Sequence, residues 1–375
     1  MRKRFSGPLV LRCCGVSRPK RRRGEEALTE NAAPAASVPN AAPRVTIREV
    51  AVAAGVSVAT ASKALNERGR MTPETRQRVQ EVARRLSFRP NAMAQALVHQ
   101  RSFTLGLLTN DTYGRFTLPV AAGLSAAMAD RGVSVFLCAI EDDPERARLN
   151  LEAMEDKRVD GLVIAGKRVD RALPITLPAL SMPVVHVNAE CPEGGVGFVP
   201  DDEGGAHLAT AHLVRLGRRH IVHITGPENF AAVHLRSAGW RRALDQAGLP
   251  CPGGALFGDW SERFGYETGQ RLFSVRAERP DAVFCGNDQI ARGLIDALTL
   301  LGLRVPEDVA VVGFDNWELF AQAARPPLTT VDMELKGLGR EAGLTLLDMI
   351  DGKPVERGVR RQPCRLVMRR SCGGP

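Results

Sequence analysis

Apolar positions fall at helical spacing early in the chain and in short unbroken runs later. Ile47, Val50, Ala51 and Ala54 stand at i, i+3, i+4 and i+7, which predicts one apolar helix face. Gly55 allows a sharp turn, and Ser57 can cap a second helix over Val58–Leu65. A third helix starts with Thr72 as cap and Pro73 at its first position, burying Val79, Val82, Ala83 and Leu86. Pro90 breaks the pattern. Ala92 to Gln100 then carries Met93, Ala94 and Leu97 along one side, and a helix this short needs a partner to fold against.

From Phe103 the texture changes. The apolar runs Thr104–Leu108, Val133–Ala139, Gly161–Ile164, Val184–Val187, Ile221–Thr225, Ala282–Cys285 and Val309–Gly313 read as buried strands. Helical stretches such as Pro119–Arg131, Ala206–Leu216 and Ala238–Ala247 alternate with them. This alternation predicts an α/β fold with parallel sheets covered on both faces. The length is too great for one sheet, so two lobes with a ligand between them are expected. The fold class is therefore α/β: an N-terminal all-α helix-turn-helix head, then a two-lobed domain with parallel sheets.

Charge sharpens the division. The net charge is +9, yet residues 1–100 carry 19 lysines and arginines against 7 acids, and the rest carries 32 against 35. The basicity is local, as a polyanion contact requires. Residues 1–43 hold the run Lys20-Arg21-Arg22-Arg23 among Ala, Pro, Asn and Ser, without hydrophobic periodicity. They read as a disordered tail or as translation from an upstream start, with an accessory arm to DNA as the sharper alternative. The eight cysteines lack zinc-site spacing and are expected to be reduced thiols of a cytoplasmic protein. No apolar run reaches the roughly 18 residues of a membrane span. The stretch Pro8 to Leu11 is too short for a signal peptide before Arg12 interrupts it.

Helix, glycine turn, helix is the arrangement whose second helix enters the major groove. Small residues near its start allow close approach. Ser57, Thr60 and Ser62 can donate to phosphates or bases, and Lys63 can reach a guanine or a phosphate. The same pattern also fits a plain three-helix bundle with a solvated basic face.

The segments Thr46-Ile47, Ala54-Gly55-Val56-Ser57, Leu65-Asn66, Thr72-Pro73-Glu74-Thr75-Arg76 and Pro90-Asn91-Ala92 resemble the DNA-binding head and hinge of the lactose-repressor (LacI/GalR) family of bacterial regulators. The resemblance implies domains at 44–90 for the head, 91–101 for a hinge helix and 102–375 for a two-lobed, periplasmic-binding-protein-like effector and dimerisation domain. It implies DNA contact by Thr46, Ser57, Val58, Ala59, Thr60, Ser62, Lys63, Asn66, Phe88, Asn91, Ala94 and Leu97. In that family paired hinge helices enter the minor groove. Leu97 matches the wedging leucine and Ala94 the small residue where the helices touch. Two positions depart from the pattern. Lys63 replaces a common arginine and lacks its bidentate fork, and Ala61 stands where valine is usual.

The resemblance continues through Arg236…Gly239-Trp240, Gly286-Asn287-Asp288, Gly313-Phe314-Asp315-Asn316 and Pro326-Pro327-Leu328-Thr329-Thr330-Val331. It implies three chain crossings between lobes, one near Leu328–Glu334, and a sugar-like effector held by Arg236, Asn287 and Asp315. A fork, an amide and a carboxylate together satisfy paired hydroxyls. Trp260 is a candidate to stack on a sugar face, with a core or interface role as the alternative. Phe116 is a weaker lining candidate. Asp315 has an alternative role as a helix cap, and Met333 makes the pocket more apolar than in relatives with a polar residue there.

Catalysis has little support: there is no Walker loop, no Gly-x-Ser-x-Gly elbow and no His-Glu-x-x-His. His207, His212, His220, His223 and His234 read as surface or packing residues before a metal site, so no metal or cofactor is expected. Three functions compete. One is a ligand-responsive repressor of operator DNA acting as a homodimer, with no membrane role. The second is a sugar-binding protein without DNA function, which leaves residues 44–101 unexplained. The third is an α/β enzyme with a nucleic-acid head. The short stretch after Arg369 leaves little room for a further coiled coil, which favours a dimer over a tetramer.

Overall fold

The computed structural model describes residues 45–66, 69–88, 101–173, 180–251, 253–276 and 279–373. The tail 1–43 and the hinge candidates Asn91, Ala94 and Leu97 lie outside them. The described residues fall into two compact units, one before residue 90 and one after it.

The first unit holds three helices, α1 (Ile47–Ala54), α2 (Val58–Leu65) and α3 (Pro73–Arg85). Each begins where a hydroxyl can satisfy the free amides of a first turn. Thr46 and Glu49 form a reciprocal capping box on α1, Ser57 Oγ accepts from the Thr60 amide at 3.1 Å, and Thr72 caps α3 ahead of Pro73. Gly55 ends α1 at φ +63°, a left-handed geometry that costs other residues more. Val50, Ala51, Ala54, Ala61, Ala64, Val79, Val82 and Ala83 form the core, with Leu86 half-buried beside them. The small Ala61 is fully buried there, so the head packs closely without a valine.

The second unit runs β1 (Thr104–Thr109), α4 (Thr117–Ala129), β2 (Ser134–Ala139), α5 (Pro144–Asp156), β3 (Gly161–Ala165), β4 (Val184–Val187), β5 (Val196–Pro200), α6 (Asp202–Arg215), β6 (Ile221–Thr225), α7 (Ala231–Gln246), β7 (Leu256–Phe257) and α8 (Glu262–Leu272). It continues with β8 (Ala282–Cys285), α9 (Asp288–Leu300), β9 (Ala310–Asp315), α10 (Glu318–Ala321), β10 (Thr329–Asp332), α11 (Leu335–Ile350), β11 (Gly358–Gln362) and β12 (Arg365–Val367).

Two six-stranded sheets result, in the orders β11-β5-β4-β3-β1-β2 and β12-β10-β9-β8-β6-β7. The first is parallel throughout, and the second is parallel except for the β10–β12 pair. Inner strands such as β3 and β8 are fully buried, as their apolar runs predicted, whereas β2, also expected to be buried, lies at a sheet edge and is exposed or half-buried along its length. The chain passes between lobes after β5, after β10 and after β11. The second passage, at Met333–Glu334, lies within the expected Leu328–Glu334.

Several expected bounds shift. α7 starts at Ala231 rather than Ala238, because its first turns carry His234 and Arg236 and hide the apolar period. α6 starts at Asp202 rather than Ala206, with Asp201 accepting from the Gly204 amide at 3.0 Å. Strands β5, β7, β10, β11 and β12 were not anticipated. β7 has two residues, and β11 (GVRRQ) is polar, as suits a strand at a sheet edge.

Candidate functional site

In each sheet the chain starts on a central strand, steps to one side, and then proceeds to the other. The order reverses between β1 and β3 in the first lobe and between β6 and β8 in the second. Loops leaving such strands in opposite directions open a crevice at their carboxyl ends. Both crevices face a single cavity of about 350 Å³. The loops after β1 and β3 line it with Asn110, Arg115, Phe116 and residues 167–171. The second lobe adds Phe230, Arg236, Trp260, Asn287 and Asp315. All five ligand candidates, Phe116, Arg236, Trp260, Asn287 and Asp315, thus line one cavity.

Arg236 projects from α7 and is 5% exposed. Its Nε donates to Asp202 Oδ1 at 2.7 Å and its Nη1 to the Gly286 carbonyl at 2.5 Å. The guanidinium lies 3.7 Å from the centroid of the Phe314 ring. Its fork is therefore held by the protein itself, so Arg236 presents an edge to the cavity and not the free fork expected. Burial lifts the pKa of Asp202 above the ordinary carboxylate range, although Arg236 opposes the shift.

Asp315 ends β9 at φ +102°, a backbone region that side chains rarely adopt. It pairs with Arg115 of the first lobe and approaches Arg236 Nη1 at 3.7 Å. It caps no helix: α10 follows Trp317 and has no side-chain cap. Arg115 also donates to Gln289 at 3.0 Å, and burial lowers its pKa to about 10, leaving it protonated near neutrality. Asn287 caps α9, with Oδ1 accepting from the Ile290 amide at 2.7 Å. Beside it Asp288 is fully buried, accepting from Thr330 Oγ1 at 2.5 Å and the Trp317 amide at 2.7 Å. Burial pushes its pKa up to about 7.

Trp260 lines the cavity edge-on to Phe230, with ring centroids 5.8 Å apart. It packs over Gly226, where a Cβ would come within 2.1 Å of the indole, so glycine is what lets the ring lie there. Met333 is buried and adds an apolar wall.

The lobes are joined on both flanks of the cavity. On one, Arg115 reaches Asp315 and Gln289. On the other, Arg168 donates to the Asn229 carbonyl at 2.6 Å and lies 3.7 Å over Phe230. Asp170 accepts from the Ala231 amide at 2.9 Å. Helix α7 has no side-chain cap of its own, so its first turn is capped from the opposite lobe. Arg168, and then the Ala231 amide, hold the Asp170 carboxyl below its ordinary value.

Asn110, Arg115, Asp142, Lys167, Arg168, Asp170, Arg171, Asn188 and Asp202 also line the cavity without having been candidates. Most follow directly on strand ends, as in Thr109-Asn110 and Gly166-Lys167-Arg168, and that position was the available signal. The histidines are scattered. His207 bonds Gln246, His212 bonds Cys372, and buried His223 stacks on Phe284 with its pKa lowered to about 4 by burial. Among the described residues no group of three or more His, Cys, Asp or Glu is arranged to hold a metal, and the six cysteines are free. No helix there is long and apolar enough to cross a membrane.

In the head, Ser57, Val58, Ala59 and Lys63 are exposed on α2, with Thr60 and Ser62 partly so. Ser57 and Thr60 hydroxyls bond each other at 2.8 Å, and Asn66 ends the helix with Nδ2 on Ser62 Oγ at 3.4 Å. Thr46 is exposed but engaged in its capping box. Phe88 is half-buried against the head core, which makes its ring first a packing element.

Comparison with known proteins agrees with this geometry. Residues 46–91 match the bacterial regulatory proteins of the lacI family, and residues 210–372 match the periplasmic binding protein-like domain. The HTH-type transcriptional repressor PurR of Aliivibrio fischeri is 32% identical over 331 residues, spanning 87% of this chain and 98% of the relative. The ribose operon repressor of Escherichia coli K12 is 33% identical over 328 residues, with 87% and 98% covered. The Lac repressor dimer bound to operator and the anti-inducer ONPF superposes with a TM-score of 0.67 at 28% identity, covering 88% of this chain and 99% of the other. A CelR–cellobiose complex gives 0.59 at 29% identity, with 88% and 100% covered. With head, paired lobes and near full-length relatives in agreement, this chain belongs to the LacI family, bacterial DNA-binding transcription regulators and not enzymes.

Proposed function

We propose that this regulator is a repressor whose affinity for double-stranded operator DNA is set by a small, sugar-like effector held between the two lobes. It acts in the cytoplasm as a homodimer, with a head at 44–90, a hinge at 91–101 and the effector domain at 102–375. The observation that carries this is the convergence of Phe116, Arg236, Trp260, Asn287 and Asp315 on one cavity at two facing strand-end crevices. Relatives support the partners: the Lac repressor is seen as a dimer on operator, and CelR with cellobiose.

In the head, Val58 and Ala59 offer apolar contact to thymine methyls. Ser57, Thr60, Ser62 and Lys63 offer donors to bases and phosphates. Thr46, Asn66 and Phe88 flank that surface, and Asn91, Ala94 and Leu97 form the hinge contact. Effector binding selects one lobe arrangement, changes the spacing of the paired hinges and so changes operator affinity. The sign we propose is induction, in which the ligand releases DNA.

A gel shift on the chain's own upstream region at moderate salt tests the reading. Specific binding weakened by a sugar hit from a thermal-shift screen is expected, and absence of any specific complex sinks it. Leu97→Ala should weaken specific binding far more than nonspecific binding, whereas equal losses would remove the wedge.

A further inference from the structure

The carboxylates of the cavity are all engaged within the protein. Lys167 Nζ sits 2.9 Å from Asp142, which Asn110 also contacts at 2.8 Å. Asp170 is held by Arg168 and the Ala231 amide, Asp202 by Arg236, and Asp315 by Arg115. Asp315 Oδ2 is buried without a hydrogen bond, its charge met by the Arg115 ion pair; the other buried cavity atoms that lack a bond are donors. The cap on Ile290 fixes Asn287 Oδ1 as the acceptor, so its other terminal atom is the amide nitrogen. That Nδ2 has no hydrogen bond, although Asn287 is only 1% exposed. Arg115 Nε is likewise buried and unbonded. Among the described residues, the Trp260 indole N–H has no acceptor, and Arg171 at the cavity wall has no ion pair.

A buried donor without an acceptor costs about 1–3 kcal/mol, which a ligand acceptor recovers on binding. The charges lean the same way. Five cationic side chains line the cavity (Arg115, Lys167, Arg168, Arg171 and Arg236) against four carboxylates. Ion pairing matches four of the five with those carboxylates, and Arg171 is the cation left over, on the more cationic first lobe. Four of the cations belong to the first lobe, which supplies only Asp142 and Asp170. A neutral polyol brings as many donors as acceptors. An oxyanion brings only acceptors, and its bonds to guanidinium and amide donors are charge-assisted.

We infer that the effector is an anionic polyol, a sugar bearing an oxyanion that faces the donors of Asn287, Arg115, Trp260 and Arg171. This rests on the cleft being the effector site. The hydroxyl-bearing part then lies along the aromatic walls, Phe116 and Trp260.

The test is calorimetric titration of the full-length protein with matched compounds. D-gluconate is compared with D-glucitol, D-glucuronate with D-glucose, and D-glucose with D-glucose 6-phosphate. At least one charged member should bind about tenfold or more tightly than its neutral match. The carboxylate and phosphate arms tell which oxyanion it is. Arg171→Ala, at an exposed position, should narrow that ratio toward one. Asn287→Asp keeps the cap on Ile290 and turns the free donor into an acceptor, and should abolish binding of the charged member. The inference is overturned if the neutral member binds as tightly in every pair, if no charged compound binds, or if Arg171→Ala leaves the ratio unchanged. Equal binding that is still lost in Trp260→Ala removes the anion and leaves the cleft. Binding untouched by Trp260→Ala removes the cleft itself.

Discussion

Removing Arg236 should do more than empty part of the cavity, because the residue neutralises a buried acid. Asp202 is 1% exposed, and Arg236 reaches it through both Nε and Nη2 at 2.7 Å. Arg236→Ala leaves that carboxylate in low dielectric without its partner, a change that typically costs about 3–5 kcal/mol. The Gly286 carbonyl loses its donor and Phe314 its stacked cation, adding roughly 1 kcal/mol each. For a domain of this size about 2–4 °C accompanies each kcal/mol, so the main thermal transition should fall by about 10 °C or more. The loss should depend on pH. The folded-state pKa of Asp202 already lies above its ordinary value, and without Arg236 it rises further. An acid shifted upward is protonated in the fold where the unfolded chain is charged. Its stability is therefore kept at low pH and lost as pH rises through the folded pKa. The deficit of Arg236→Ala should be smaller at pH 5 than at pH 8. Replacing both partners, as Asp202→Asn with Arg236→Met, removes the orphaned charge and should recover more than half of the loss. Differential scanning calorimetry of the three proteins at both pH values decides the matter. An unchanged transition in the single variant, or a double variant no better than the single one, would refute the charge argument and return Arg236 to a purely ligand-facing role.

Asp288 makes a second pH-dependent contribution. Its folded pKa of about 7 exceeds its unfolded value, so stability should decline as pH rises from about 4 to about 7, and Asp288→Asn should flatten that slope in urea titrations. Gly226→Ala forces a methyl into the Trp260 indole and should shift tryptophan emission and weaken effector binding, with little change in operator binding; unaltered emission would show that the ring does not depend on that glycine. Ser57→Ala removes the cap of α2 and should destabilise the head by about 1 kcal/mol, measured by thermal unfolding, and a head as stable as before would mean that the cap is made elsewhere.

The sequence was most readable where one physical rule acted alone. Capping hydroxyls and Gly55 bound α2 at Val58 and Leu65, and unbroken apolar runs marked β4, β6 and β8 to the residue. Reading weakened where function altered the pattern. The early turns of α7 face the cleft, so their polar side chains concealed a helix, and the arginines of β11 concealed an edge strand. The second-lobe wall of the cavity was legible from motifs. The first-lobe wall was not, because Arg115, Lys167 and Arg168 look like surface charge until the strand order turns them inward. Pairing across the cleft, such as Arg115 with Asp315, joins residues 200 positions apart and leaves no local trace.

The cap that Asp170 gives to α7 has a consequence for observation. Whenever the lobes part, the Ala231 amide loses its acceptor and the first turn of the helix is free to fray. Slow proton exchange at that single amide is then a native gauge of how often the cleft opens, readable without any attached probe. The gauge sits five residues from Arg236 on the same helix, so what it records is the rhythm of the wall that meets the ligand.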